Sequence, residues 1–174
     1  SNPTLTHVTI TGNTAERGGG MLIFYSNPTL THVTITDNTA SSLGGGIYLL
    51  HSNPTLTHVT IVGNVAYYAA AGMYLFHSNP TLTNVTISGN TGYVYAGGMR
   101  LTSSNPTLTH VTIAGNHAGY DGGGIYANFS NPTLTHVTIT GNMADYGGGM
   151  YLYESNPTLT NTIIWDNSSA WGGP

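Results

Sequence analysis

The chain has 174 residues and carries few charges: two arginines, no lysine and six acidic residues, for a net charge of −4. Two cations can neutralise few phosphates and form no basic patch, which excludes typical nucleic-acid binding and electrostatic binding to anionic membranes. The absence of cysteine excludes a disulfide scaffold. Thr, Val, Ile and Tyr are abundant, so the composition favours strands over disorder.

A repeat of fixed length dominates the sequence. The hexapeptide Ser-Asn-Pro-Thr-Leu-Thr opens seven units of 25 or 26 residues, which begin at residues 1, 26, 52, 78, 104, 130 and 155, and the last unit is partial. A period of this length indicates a solenoid in which each unit forms one coil. We therefore expect a single β-solenoid domain over residues 1–174, with about seven coils.

Each unit predicts three short strands, as the third unit shows. Thr55-Leu56-Thr57 and Val59-Thr60-Ile61 both alternate apolar and polar residues, but the two alternations are out of phase. Because strand side chains keep a period of two, the chain has to turn near His58. Met73-Tyr74-Leu75 forms a third strand after the glycines. Equivalent strands would pair in parallel about 4.8 Å apart, which predicts an all-β parallel β-helix.

Stacked coils place equivalent residues in columns. Four apolar inner columns are expected: Leu5 to Leu159, Val8 to Val137 followed by Thr162, Ile10 to Ile163, and Met21 to Met150. An asparagine column is expected to form a hydrogen-bonded ladder at a corner of the coil. Its members are Asn13, Asn38, Asn64, Asn90, Asn116, Asn142 and Asn167.

The aromatic residues cluster on one side of each coil. The tyrosines of the third strand are expected to point outward, next to those of the segment that varies in length before that strand. Exposed aromatic residues are typical of a contact surface for sugars or proteins, although a tyrosine ladder can also simply shield a sheet. The candidate contact residues are Tyr48, Tyr74, Tyr126, Tyr151, Tyr67, Tyr68, Tyr93, Tyr95, Tyr120 and Tyr146.

A column of histidines follows the first strand, with asparagine at the same position in the remaining two units. Histidine is a common metal ligand, but replacement by asparagine favours a stacked corner residue over a metal site. The column contains His7, His32, His58, Asn84, His110, His136 and Asn161.

Neither the acidic residues nor the threonines form a recognisable catalytic motif. The six acids occupy unrelated positions of the repeat, whereas hydrolysis of sugars needs paired carboxylates. We expect a non-enzymatic protein without cofactor or metal.

The threonines of Thr-Leu-Thr form two outward files, which resemble the ice-binding face of some β-solenoid antifreeze proteins, although threonine is also simply a good strand residue.

Several segments resemble the repeats of right-handed parallel β-helix proteins of the polymorphic outer-membrane and adhesin-like type. These segments are Asn79 to Ile87, Gly89-Asn90 and Gly148-Gly149-Met150-Tyr151, and the resemblance extends over the whole chain. It implies a right-handed coil and a bacterial protein that is secreted or exposed at the cell surface. The last unit, from Thr160 to Asn167, is similar to the closing coil of such arrays.

Three functions remain open at this point. The first is an extracellular stalk or filament subunit, whose uncapped end coils are covered by other copies or by the rest of a longer chain. The second is an adhesin that binds glycans through its tyrosine side, and the third is an ice-binding protein. The chain begins in register with the repeat and without methionine, which is expected for a processed export product or for a fragment.

Overall fold

The computed structural model describes residues 1–171, and every regular element in this range is a β-strand. Four parallel sheets run along the stack, and each coil contributes one strand to each sheet in sequence order, except that the partial last coil supplies none to the fourth. Each strand pairs with its equivalents in the coils before and after it. The predicted all-β parallel solenoid is therefore confirmed.

The strands are short. The first sheet contains Thr4–Thr6, Thr29–Thr31, Thr55–Thr57, Thr81–Thr83, Thr107–Thr109, Thr133–Thr135 and Thr158–Thr160. The second contains Thr9–Thr11, Thr34–Thr36, Thr60–Val62, Thr86–Ser88, Thr112–Ala114, Thr138–Thr140 and Ile163–Trp165. The third contains Thr14–Arg17, Thr39–Leu43, Val65–Ala66, Thr91–Gly92, His117–Ala118, Met143–Ala144 and Ser168–Ser169. The fourth contains Met21–Phe24, Ile47–Leu50, Met73–Phe76, Met99–Thr102, Ile125–Asn128 and Met150–Tyr153.

The three strands predicted for each unit correspond to the first, second and fourth sheets. The sequence pattern did not predict the third sheet. Its strands lie directly after the asparagine column, in the segment that varies in length. Five of them contain only two residues, such as Val65–Ala66, which is too short for an alternation to be recognised. The only inward residue of that strand is Ala66, which is fully buried.

Left-handed backbone conformations produce the four corners of each of the six complete coils. In the third coil these residues are His58, Gly63, Ala70 and His77, with φ between 48° and 65°. This region of φ strains most residues that have a Cβ atom, whereas glycine adopts it freely and Asn, Asp and His adopt it more often than other residues. The first corner is accordingly always His or Asn, and the second is always Gly or Asp. The turn predicted near His58 is confirmed.

The core consists of the predicted inner columns and one more. Leu56, Val59, Ile61 and Met73 are buried in the third coil, and Leu75 of the fourth sheet adds a fifth column. One assignment was wrong, because the isoleucine column ends in Ile164 and not in Ile163.

The register explains this correction. Ile139 pairs with Ile164, while Ile163 pairs with Thr138 and therefore points outward. The distance from Ser130 to Ser155 is 25 residues, and the same step along the chain leads from Ile139 to Ile164.

Candidate functional surface

The asparagine column forms a continuous hydrogen-bonded ladder inside the second corner. The Nδ2 atom of each asparagine donates to the Oδ1 atom of the next one at 2.9–3.0 Å, and the same Oδ1 accepts the backbone N–H of the previous asparagine. From Asn38 onward, Nδ2 also donates to the carbonyl of an isoleucine in the preceding coil. Each internal rung therefore has every strong hydrogen-bonding group satisfied.

Two further ladders explain why the serine and asparagine of Ser-Asn-Pro do not vary, which sequence reasoning left unexplained. The Oγ atom of buried Ser78 accepts the backbone N–H of Ser52 at 3.0 Å and donates to the carbonyl of Phe76 at 2.9 Å. The exposed asparagine that follows the serine works in the opposite direction, since Asn53 Oδ1 accepts the backbone N–H of Asn79 at 2.6 Å. Because the serine and the asparagine recur at the same place in every unit, both ladders run along the stack and hold neighbouring coils together.

Glycine is required where the asparagine ladder meets the fourth sheet. A Cβ atom added to Gly98 would lie 2.4 Å from the carbonyl oxygen of Gly124 and 3.1 Å from Cγ2 of Ile113. No side chain fits there unless the stacked backbones separate. The glycine directly before each strand of the fourth sheet is therefore explained by close packing of coils and does not indicate a ligand.

The segments before the fourth sheet form the variable corner, which comprises residues 14–20, 39–46, 65–72, 91–98, 117–124 and 143–149. It folds back over the outer face of the fourth sheet. That face carries the tyrosine file, which we define as Leu22, Tyr48, Tyr74, Arg100, Tyr126 and Tyr151.

The predicted exposure of the tyrosine file was wrong for two of its members. Tyr48 and Tyr74 are only 5% and 7% exposed, because Ala70 and Ala96 of the variable corner pack against their rings. The two rings stack with centroids 5.1 Å apart. Tyr126 and Tyr151 are half-buried. This part of the candidate surface is a second, smaller core outside the solenoid.

Other predicted contact residues remain accessible on the variable corner. Tyr67 and Tyr93 are 56% and 58% exposed and stack in parallel with centroids 5.1 Å apart. Tyr68, Tyr120 and Tyr146 are also exposed, whereas Tyr95 is half-buried. The candidate residues thus separate into a covered file and an exposed corner.

The Tyr67–Tyr93 pair is isolated along the stack. The positions equivalent to these two tyrosines are Ser41 in the coil before them and Gly119 in the coil after them. Each ring contacts the other with one face, and neither neighbouring coil supplies a ring for the opposite face. The outer face of each ring therefore has no aromatic partner within residues 1–171, and both rings are more than half exposed.

Arg100 interrupts the tyrosine file. The carbon at the centre of its guanidinium lies 5.4 Å from the ring centroid of Tyr74, 5.0 Å from that of Tyr95 and 5.1 Å from that of Tyr126. The guanidinium makes no hydrogen bond or ion pair within residues 1–171, and its Nε atom is buried. Burial raises the pKa of Asp121 in the next coil, an effect that Arg100 partly offsets and Asp145 reinforces.

The histidine column lies at the first corner as stacked rings. His7 and His32 are 4.9 Å apart between centroids, and His32 and His58 are 4.8 Å apart, with interplanar angles of 6° and 7°. Where asparagine replaces histidine, its amide contacts the imidazole of the coil before it, as in the 3.3 Å contact between Asn84 Nδ2 and His58 Nε2. This contact explains how asparagine substitutes in the column. Within residues 1–171, no group of three or more His, Cys, Asp or Glu side chains is placed to hold a metal ion.

A histidine, an aspartate and a serine line a cavity of about 260 Å³ beside the third sheet, a combination that sequence reasoning missed. These residues are His117, Asp145 and Ser168. His117 and Ser168 flank Met143 in the sheet register, so they are two coil steps, or about 10 Å, apart. A catalytic relay needs hydrogen-bonded neighbours, and this spacing does not provide them.

The comparisons with known proteins agree with the geometry. The family model for the right-handed β-helix region matches residues 1–97 and 94–172. No curated protein matches the chain. Within residues 1–171 there is no helix long and apolar enough to cross a membrane. The two matched segments span nearly the whole sequence, and the chain therefore belongs to the right-handed β-helix family.

Proposed function

We propose that this β-helix is a non-enzymatic structural rod of an extracellular or cell-surface protein, of the adhesin-like type. The observation that carries the proposal is the asparagine ladder, which continues through all seven coils without a missing rung. The invariant residues serve the stack: serine and asparagine form ladders, glycine permits close packing, and leucine and isoleucine fill the core. Asp37 and Asp166 take the left-handed corner position that glycine holds in other coils.

End-to-end association of copies is the second part of this proposal. Leu159 and Ile164 in the last coil are 45% and 44% exposed, whereas their equivalents Leu134 and Ile139 are fully buried. An uncovered strand edge and an apolar face favour pairing with another coil. That coil would come from a second copy of the chain or from further sequence of a longer protein, and head-to-tail pairing of copies would produce filaments.

Sedimentation at increasing protein concentration tests the association. Leu159→Lys places a charge on the coil face, and Thr158→Lys places the same charge on the outer surface of the same strand. We expect the wild type and Thr158→Lys to form large species while Leu159→Lys remains monomeric. A wild type that stays monomeric at every concentration, or equal association of all three proteins, would refute stacking through this face.

We propose glycan binding at the variable corner as a second candidate function. It is supported by the open ring faces of Tyr67 and Tyr93, because the apolar C–H face of a sugar packs well against an exposed aromatic ring. Tyr67 and Tyr93 belong to the third and fourth of the seven coils, so the stacked pair lies near the middle of the rod.

Binding to a glycan array tests this function. The double variant Tyr67→Ala/Tyr93→Ala is expected to lose the bound glycans, whereas Tyr48→Phe, which changes only a covered side chain, should keep them. Absence of any bound glycan, or binding that survives the double variant, would rule out this corner as a glycan site.

Ice binding is a third candidate, supported by the threonine files of the first sheet. Thr29 pairs with Thr55 and Thr31 with Thr57, so the outward hydroxyls repeat in register once per coil. Thermal hysteresis of the purified chain measures the activity. It should disappear in the variant Thr31→Leu/Thr57→Leu, and hysteresis that persists there would eliminate this face.

A further inference from the structure

Seven of the eight histidines lie on the two corners that border the first sheet. The histidine column directly follows each strand of that sheet. A second column, at the fourth corner, lies four residues before the next strand, and we call it the fourth-corner column. It contains Tyr25, His51, His77, Ser103, Phe129 and Glu154. The seven histidines of the two columns are exposed, whereas the eighth, His117, is half-buried on the third sheet.

The surface between the two columns is flat and uncharged. All seven strands of the first sheet read Thr-Leu-Thr and pair in register, so their outward threonines form two straight rows. We define these threonine rows and the two bordering columns as the first-sheet face. Histidines therefore lie along both edges of a surface that is shaped for a flat partner.

Acidic pH changes the charge of the first-sheet face. Histidine ordinarily gains its positive charge as the pH falls from about 8 to about 5. Eight such charges added to a net charge of −4 change it to +4. Of the six acidic residues, Glu154 alone borders the first sheet. The other five lie in the variable corner or at the second corner, on the far side of the second sheet: Glu16, Asp121, Asp145, Asp37 and Asp166.

The elements packed beside the two columns add no further acid. The outward residues of the second sheet, which adjoins the histidine column, are uncharged. The outer face of the fourth sheet adjoins the fourth-corner column and carries Arg100 among residues that are neutral at acidic pH. The α-amino group of Ser1 donates to Oγ of Ser26, which directly follows Tyr25. Positive charge therefore concentrates on this side of the rod.

The stacked histidines need an anionic partner when they are charged. The ring centroids of His32 and His58 are 4.8 Å apart, and those of His51 and His77 are 5.2 Å apart. Two positive charges at this distance repel each other, and within residues 1–171 no histidine forms an ion pair with a carboxylate. A negative surface opposite the columns offsets the repulsion, so anion binding and protonation favour each other.

We infer that the first-sheet face binds an anionic lipid bilayer at acidic pH. The two arginines cannot provide this attraction at neutral pH, and the charged histidines supply the missing cations. Aromatic residues at the same edge favour a bilayer over a soluble polyanion, because such residues partition into the interface between lipid and water. Phe24, Tyr25 and Phe129 are 54%, 66% and 57% exposed.

Sedimentation with lipid vesicles tests the inference. The probes are vesicles of phosphatidylcholine and vesicles that also contain phosphatidylserine, each at about pH 5 and about pH 7.5, because histidine changes its charge in this range. The wild type should bind the anionic vesicles at least about tenfold more tightly at the lower pH, since each cation near an anionic surface contributes about fivefold in affinity. Added salt should weaken this binding.

Asparagine is the matched replacement in the histidine column, which already contains Asn84 and Asn161. The triple variant His7→Asn/His32→Asn/His58→Asn therefore removes three charges without introducing a residue that is foreign to the position. It should lose at least about tenfold in affinity for anionic vesicles at about pH 5 and remain unchanged at about pH 7.5.

The fourth-corner column offers an independent variant. His51→Ser/His77→Ser introduces the residue that this column carries at Ser103, and it should also weaken binding at the lower pH. This second variant keeps the test valid if the triple variant does not fold. His117→Asn is the control, because it removes a histidine from the third sheet, which does not border the first, and it should bind as the wild type does.

Four results would overturn the inference. These are no binding to anionic vesicles at about pH 5, equal binding at both pH values, equal binding of neutral and anionic vesicles, and wild-type binding by both histidine variants. Tighter binding of inorganic polyphosphate than of anionic vesicles would overturn the choice of a bilayer. Loss of the β-sheet circular dichroism signal at the lower pH would also refute it, because the face exists only in the folded chain.

Discussion

The side-chain amide of Asn64 donates a hydrogen bond to Oδ1 of Asn90 at 3.0 Å, and the backbone N–H of Asn64 donates to the same oxygen at 2.9 Å. Both residues are fully buried. One carbonyl oxygen therefore satisfies two donors of the preceding coil, and its own amide continues the chain of hydrogen bonds to Asn116. Removing any internal rung leaves donors in a place that water does not reach.

We predict that Asn90→Ala destabilises the protein by about 3–5 kcal/mol, because each buried donor left without an acceptor costs about 1–3 kcal/mol. Asn13→Ala is the control, since Asn13 is the exposed first rung, and it should cost less than about 1 kcal/mol. Urea unfolding of both variants measures the difference. Similar losses for the two variants would show that the ladder does not stabilise the stack.

Two glycine substitutions should differ strongly in how much stability the protein loses. Gly98→Ala places a methyl group against the backbone of Gly124, so we expect a loss of more than about 3 kcal/mol or failure to fold. Gly115 has a positive φ but nothing within 4 Å of the added Cβ. Gly115→Ala should therefore destabilise the protein by only about 1–2 kcal/mol, which is the strain of a residue with a Cβ atom in the left-handed backbone conformation. Thermal unfolding provides the comparison, and the reverse order of stability would contradict the packing described above.

Alkaline pH should lower the free energy of unfolding of the chain through the buried tyrosine Tyr48 of the tyrosine file. Burial, and to a lesser degree the neighbouring Tyr74, raise the pKa of Tyr48 above its ordinary value of 10.0, with a smaller opposing effect from Arg17. The unfolded chain therefore loses this proton at a lower pH than the folded chain. The stabilisation that the protonated Tyr48 hydroxyl contributes to the folded state is complete below the ordinary pKa of 10.0, and it declines as the pH rises through the folded-state pKa of Tyr48.

Tyr48→Phe tests this dependence because it keeps the buried ring and removes the ionisable hydroxyl. We expect a smaller loss of unfolding free energy between pH 9 and pH 12 (about the range around the ordinary tyrosine pKa) than in the wild type. The same change at exposed Tyr67 is the control and should retain the wild-type decline. If Tyr48→Phe follows the wild-type profile, Tyr48 is not the group responsible.

The repeat period made most of the fold predictable. Once the hexapeptide defines the register, Leu56, Ile61 and Asn64 have to align with their equivalents, and a period of two decides which of them point inward. The exposure of Tyr48 was not predictable in this way. It depends on how the variable corner folds over the fourth sheet, and Ala70 and Ala96 are small residues without a pattern that signals a cover.

The candidate site was predictable only in part, for a related reason. Exposed Tyr67 and Tyr93 follow from composition and from their place in the variable corner. The isolation of their ring pair depends on Ser41 and Gly119, and the environment of Arg100 depends on the ring of Tyr95 from the variable corner. Such contacts appear only when the side chains are placed in three dimensions.

Electron microscopy of the purified chain at high concentration tests the central claim, a structural rod that stacks end to end, most directly. The account predicts filaments of uniform width in which a repeat of about 4.8 Å, the distance between paired strands, runs along the filament axis. Short rods of a single size at the highest concentration would contradict it.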